Sequence, residues 1–103
     1  MNYRVEYSDA AKSDLREIGF YLRTVAGDEV AEAIMQEIMD AVETLSVRPE
    51  RQRRRDHLAR GLQAISAKRY SIFYSVRSER VMIVRILHGS RNITARLFPR
   101  DER

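Results

Sequence analysis

His88 and Arg91 stand three residues apart in the run Val84-Arg85-Ile86-Leu87-His88-Gly89-Ser90-Arg91. They are the side chains here best suited to act on another molecule. An imidazole can move a proton near neutral pH, and guanidinium groups hold phosphates or carboxylates through paired N–H donors. Arg85 interrupts a run of Val, Ile and Leu, so it either pairs with an acid from the first helix or strand or joins a basic surface that reaches Arg91. Arg69 and Arg77 flank the same region and Arg96 follows in the tail. Metal-free cleavage of RNA through the 2'-hydroxyl needs a base, an acid and cations around the pentacoordinate phosphate. For that chemistry the chain offers His88, Arg85 and Arg91. In the alternative reading His88 is a strand-end histidine that hydrogen-bonds the following turn and places Arg91. Arg69, Arg85, His88, Arg91 and Arg96 then bind a target without any catalytic residue.

Composition narrows the chemistry further. There is no cysteine, which removes disulfides, thiol nucleophiles and cysteine-based zinc sites and fits a reducing cytoplasm. His57 and His88 are the two imidazoles, so no metal and no cofactor is expected. No apolar run is long enough to cross a bilayer, and nothing at the N-terminus resembles a secretory signal. The net charge of +4 conceals a polarity: residues 1–47 carry four Lys or Arg against ten Asp or Glu, whereas residues 48–60 carry six against two and residues 61–103 nine against three. An acidic half is joined to a basic half, and the basic half is suited to face a polyanion or an acidic protein. The plainer alternative is a set of ordinary solvated faces.

These side chains need a frame. Tyr70, Ile72, Tyr74 and Val76 alternate with Ser71, Phe73, Ser75 and Arg77, the two-residue period of a strand with one face in a core. The break at Ser78, Glu79 and Arg80 leads into Val81–His88, a return strand. Leu62–Ala67 is a weaker run of the same kind, so the three form an antiparallel meander ending at His88, Gly89, Ser90 and Arg91. Tyr3, Val5 and Tyr7 predict a short opening strand. Ser8 is the expected N-cap of a helix whose apolar stripe is Ala11, Leu15, Ile18, Leu22 and Val25, stopped by Gly27. Asp28 is expected to cap a second helix with the stripe Val30, Ile34, Ile38, Ala41 and Leu45, running to Ser46 and antiparallel to the first. Phe20 falls off the first stripe, and Met35 and Met39 lie at the flank of the second, so these three either adapt to a partner or widen the core contact.

Pro49 ends helical periodicity. Arg48, Glu50, Arg51, Gln52, Arg53, Arg54, Arg55, Asp56 and His57 form a loop of guanidinium groups that must be solvated or face phosphates or carboxylates. Asn92–Phe98 is expected to form a short helical segment, capped by Asn92 and stopped by Pro99. Arg100 and Arg103 add further positive charge.

The sequence of elements, together with Ser8-Asp9-Ala10-Ala11, Arg60-Gly61-Leu62, Tyr70–Val76 and above all the apolar strand running into His88-Gly89-Ser90-Arg91, resembles the RelE/ParE superfamily of small bacterial toxins, and its ParE branch in particular. The resemblance covers nearly the whole chain. It implies one α+β domain over residues 1–103, β-α-α-β-β-β, with a helix hairpin packed on a mainly antiparallel sheet and a short C-terminal helical segment. It further implies a cytoplasmic toxin of a type II toxin-antitoxin pair, neutralised in a hetero-oligomer by a cognate antitoxin, ParD-like or similar. An antitoxin helix would meet Phe20, Met35 and Met39. ParE-like members are associated with poisoning DNA gyrase without being enzymes, and RelE-like members cut mRNA on the ribosome. RelE-like nucleases commonly carry a Tyr or His in the tail, and Asn92–Phe98 has neither. Gyrase inhibition is therefore the first expectation, ribosome-dependent mRNA cleavage the alternative, and a non-enzymatic nucleic-acid binding module the third.

Overall fold

In the computed structural model residues 2–49 and 53–99 are described. Glu50, Arg51, Gln52, Arg100 and Arg103 lie outside the described residues, as does the side chain of Arg53. Strand β1 (Arg4–Tyr7) passes into helix α1 (Asp9–Ala26) at Ser8, whose hydroxyl oxygen accepts from Ala11 N at 3.0 Å, as an N-cap should. The same hydroxyl donates to Val84 O at 2.8 Å, so the cap also fixes the helix start to the sheet. Gly27, at φ 93°, ends α1 and is also the residue before α2 (Asp28–Thr44). Asp28 is thus the first helical residue rather than the cap, a position where its charge still favours the helix dipole.

After the Arg-rich loop come β2 (Arg53–Arg54), β3 (Gln63–Ala67), β4 (Tyr70–Arg77) and β5 (Arg80–His88). The sheet runs β1-β5-β4-β3-β2, antiparallel except where β1 lies parallel to β5. The two-residue strand β2 and the parallel pairing of β1 were not read from the sequence. Both helices cover one face, over a core containing Ala11, Ile38, Val42, Leu45, Ile72, Tyr74, Val81, Ile83 and Ile86. Burying each large aliphatic side chain among these is worth about 1.5–3 kcal/mol.

The opposite face is not the solvated one that the alternation in β4 suggests. Leu62, Ala64, Phe73, Val84, Leu87 and Phe98 form a second core there, with the Phe73 and Phe98 rings edge to face at 5.0 Å. The tail that delivers Phe98 is extended apart from one 3₁₀ turn, Ala95–Leu97, preceded by Thr94, whose side chain makes no capping hydrogen bond. The expected cap at Asn92 is replaced by this later, shorter turn. In the hairpin, Val25 and Val30 are exposed rather than buried. Ala31 takes the inward place on α2, and Val25 falls in the last turn of α1. No helix among the described residues is long and apolar enough to cross a membrane.

Candidate functional site

An irregularity in β5 creates the junction on which the site rests. Phe73 pairs with Arg85 and Tyr74 with Ile83, so Val84 is an extra residue on β5. Ile83 and Ile86, three apart, consequently both face the helices, while Val84 and Leu87 face the second core. Pairing with β1 stops at Ile83, and side chains from the start of α1 take over that edge of β5. Ser8 N donates to Ile83 O at 2.9 Å, the Ser8 hydroxyl donates to Val84 O, and the Asp14 carboxylate accepts from Ile86 N at 2.9 Å.

The Asp14 carboxylate also accepts from Arg85 Nε at 2.8 Å and from the second guanidinium N–H group at 2.7 Å, a bidentate pair. Arg85 Nη1 donates to Leu97 O at 2.9 Å, which ties the C-terminal turn to the same point. The hydrogen bond to Asp14 holds the guanidinium above its already high ordinary pKa, against the smaller opposing effect of burial. Of the two roles open to Arg85 from the sequence, pairing with an acid of the first helix is the one found, and its side chain is only 16% exposed. It is not part of the outward cationic surface.

That surface is made by two turns meeting at one end of the sheet. The β3–β4 turn is Lys68-Arg69, with Lys68 at φ 56°. After β5 the chain turns through Gly89 and Ser90. Gly89 N donates to Arg69 O at 2.7 Å and Arg91 N to His88 O at 3.0 Å, so the turns are locked together. A Cβ on Gly89 would lie 3.3 Å from Arg69 O, which explains the glycine. His88 Nδ1 accepts from Ser90 N at 3.0 Å, and the Ser90 hydroxyl lies 2.7 Å from the same nitrogen. A nitrogen accepting from a backbone N–H carries no proton of its own, so neutral His88 bears its proton on Nε2. The ring also stands edge to face against Tyr70 at 5.2 Å. This is the turn-shaping arrangement described above as the alternative to proton transfer.

Arg69 and Arg91 are exposed, and among the described residues neither has an acidic partner within ion-pair distance. Lys68 is paired with Glu37 at 3.4 Å, with both side chains about half exposed. Arg96 is exposed on the 3₁₀ turn, away from the two hollows described next. A hollow of ≈ 520 Å³ opens beside the rim on the helix face, floored by Ile18, Ile34 and Ile86 and walled by Tyr21 and Tyr70. Burial, with a smaller contribution from Tyr21, pushes the Tyr70 phenol up, so it is a neutral hydroxyl there. A second hollow of ≈ 380 Å³ lies at the same end of the sheet and includes Ser66 and Ser71. Lys68, Arg69, Tyr70, His88 and Ser90 border both. Among the described residues no three His, Asp or Glu side chains converge as a metal site.

The helix hairpin carries the other expected surface. Phe20 is 70% exposed and Met39 38%, while Met35 is half-buried against the helix-face core. Met39 Sδ receives the Tyr7 hydroxyl at 3.8 Å.

Residues 5–93 match the family model described as the ParE toxin of the type II toxin-antitoxin system parDE. The chain belongs to the ParE toxin family. A curated relative, Toxin ParE3 of Caulobacter vibrioides, is 37% identical over 71 residues, which span 69% of this chain and 71% of that protein. Among solved structures, a chromosomal ParDE system of P. aeruginosa superposes with a TM-score of 0.74 at 20% identity, covering 84% of this chain and 95% of that one. A chain of the RelBE2 toxin-antitoxin complex of Mycobacterium tuberculosis gives 0.59 at 23% identity, covering 85% and 92%. A substituted E. coli toxin RelE in the free state gives 0.64 at 14%, covering 87% and 86%. At these identities the three structures speak to the fold: two helices on a mixed sheet, the α+β architecture of RelE/ParE toxins.

Within this ParE-family chain, sequence reasoning passed over Asp14, Lys68, Tyr21, Tyr70 and Ser90. Asp14 did leave a signal. It sits three residues after Ala11 and four before Ile18, on the apolar stripe of α1, where a carboxylate requires a cation or a set of N–H donors. Lys68 and Ser90 lie in turns, where no periodicity marks them; Tyr21 lies within α1 but off its apolar stripe, and the alternation of β4 marks Tyr70 as a core residue rather than as part of a site.

Proposed function

We propose that this ParE-family toxin inhibits DNA gyrase through the Arg69, His88 and Arg91 rim, without catalysing a reaction, and that a cognate antitoxin neutralises it. The supporting observation is that, among the described residues, the Arg69 and Arg91 guanidinium groups of the rim have no acidic partner within ion-pair distance, while the cation Arg85 and the imidazole His88 of the alternative nuclease set are engaged within the fold. Arg85 is held by Asp14, and His88 Nδ1 is held by Ser90. A set built to stabilise a pentacoordinate phosphate would keep its cation and its imidazole free to reach one atom. A rim that binds a macromolecular partner needs only shape and charge.

The antitoxin is expected to bring an apolar helix face to Phe20 and Met39, with Tyr21, Val25 and Val30 extending the patch toward the tip of the hairpin. An acidic segment of the same partner is suited to cover the basic rim. Incubation of the purified toxin with gyrase, ATP and plasmid is expected to accumulate cleaved DNA. Unaffected supercoiling at high toxin excess refutes the proposal. Codon-phased mRNA cuts in a translation extract that vanish in His88→Ala establish the ribonuclease reading instead.

A further inference from the structure

The two hollows at the end of the sheet differ in chemistry yet share a border. On the helix face the larger one offers aliphatic floor and the exposed ring of Tyr21 opposite Tyr70. Ser66 and Ser71 pair in register across β3 and β4, on the face away from the helices, and supply hydroxyls to the smaller one. Between them stand Arg69 and His88, with Arg91 on the rim of the larger hollow. Of the two α1 acids that line the larger hollow, Asp14 is neutralised by Arg85 and Glu17 is exposed; Lys68 is offset by Glu37, so Arg69 and Arg91 stand against the single carboxylate of Glu17 and the balance of the ridge is positive.

We infer that this end of the sheet is a binding site for an unpaired nucleotide, with the base in the helix-side hollow against Tyr21 and Tyr70. Its phosphate lies on Arg69 and Arg91, and the chain continues toward Lys68 and the two serines. A nucleotide matches the arrangement because it joins a flat, weakly polar ring to an anion through a short sugar. Aromatic side chains take the ring whatever its identity, and guanidinium groups take the phosphate. A volume of ≈ 520 Å³ is within the range of small-molecule pockets and admits one base, whereas a base stacked inside a duplex cannot enter it. An apolar peptide side chain fits the floor too, but it leaves the serine-bearing hollow and the Tyr70 hydroxyl without a role.

The inference rests on the reading of this rim as the target-facing surface, and it is tested without gyrase, so that either can fail alone. The full-length chain is titrated against a 5'-labelled oligothymidylate, a duplex of the same length and thymidine monophosphate, with anisotropy and competition as readouts. The single strand is expected to bind more tightly than the duplex. Tyr21→Ala should weaken that binding roughly fivefold to a hundredfold, the usual effect of losing one stacked base. Arg69→Ala and Arg91→Ala should each reduce the slope of log affinity against log salt by roughly 0.7. Lys12→Ala, an exposed cation elsewhere on α1, should leave the preference for the single strand intact. Equal affinity of monophosphate and oligonucleotide supports the site and assigns it to a free nucleotide. Equal binding of duplex and single strand with no effect of Tyr21→Ala overturns it, as does failure to bind either while an acidic, apolar peptide occupies the same residues.

Discussion

Removing the Asp14 carboxylate leaves a largely buried guanidinium without its anion and the Ile86 N–H without its acceptor. Asp14→Ala is therefore expected to cost about 3 kcal/mol or more, read as a shift in the urea midpoint. Arg85→Lys should not restore the wild-type value, because an ammonium cannot make the paired contact or reach Leu97 O at the same time. Arg91→Ala, on the exposed rim, should change stability by only about 0.5 kcal/mol or less while abolishing toxicity. A large stability loss in that variant would move Arg91 into the framework of the fold. The tyrosines give a pH dependence. Tyr74 donates its hydroxyl to Pro49 O, and burial pushes its pKa, like those of Tyr7 and Tyr70, above the ordinary value of 10.0. Above that value the unfolded chain releases protons that the folded chain retains. Stability is thus fully present below pH 10 and is lost as pH rises beyond it. Tyr74→Phe should make the alkaline loss shallower between roughly pH 10 and 12; an unchanged alkaline limb contradicts the assignment.

Two turns carry strain that a side chain dislikes. Lys68 and Ser78 both adopt positive φ, 56° and 57°, in two-residue connections flanked by long strands. Ser78→Gly should raise the melting temperature, with a gain of up to about 1 kcal/mol, since a Cβ in the left-handed region costs about that much. No rise would indicate that the Ser78 side chain relieves the strain by itself. Periodicity made the helix hairpin, the meander and the opening strand legible, because each has one face in a core and repeats at 3.6 or 2 residues. It failed where two faces are buried, as at Phe73, or where one residue is inserted, as at Val84. There the alternation that sequence reading depends on is broken by packing from the tail. The parallel register of β1 on β5 depends on chain path over some seventy residues and leaves no local mark. At the site, the rim turn, His88 and Arg91 were legible from residue type. The role of Arg85 was legible as a pair of alternatives, and the hollows were not legible, since they exist only where two distant turns meet.

At the scale of the molecule, charge is separated between an acidic helix hairpin and a basic sheet end. Helix α2 contains no Lys or Arg at all. A partner that neutralises such a toxin has two unlike surfaces to satisfy, one apolar and acidic at the hairpin, one cationic at the rim. Phe20→Glu is expected to weaken antitoxin binding with little loss of toxicity, while Arg91→Ala should abolish toxicity and leave the apolar contact; growth assays with and without the antitoxin separate the two. The most direct test of the cationic rim sets the wild-type chain beside a folded Arg69→Ala/Arg91→Ala variant in the plasmid cleavage reaction of gyrase with ATP. Cleaved DNA should accumulate with the wild type and fall to the toxin-free level with the double variant; equal accumulation with both would contradict it.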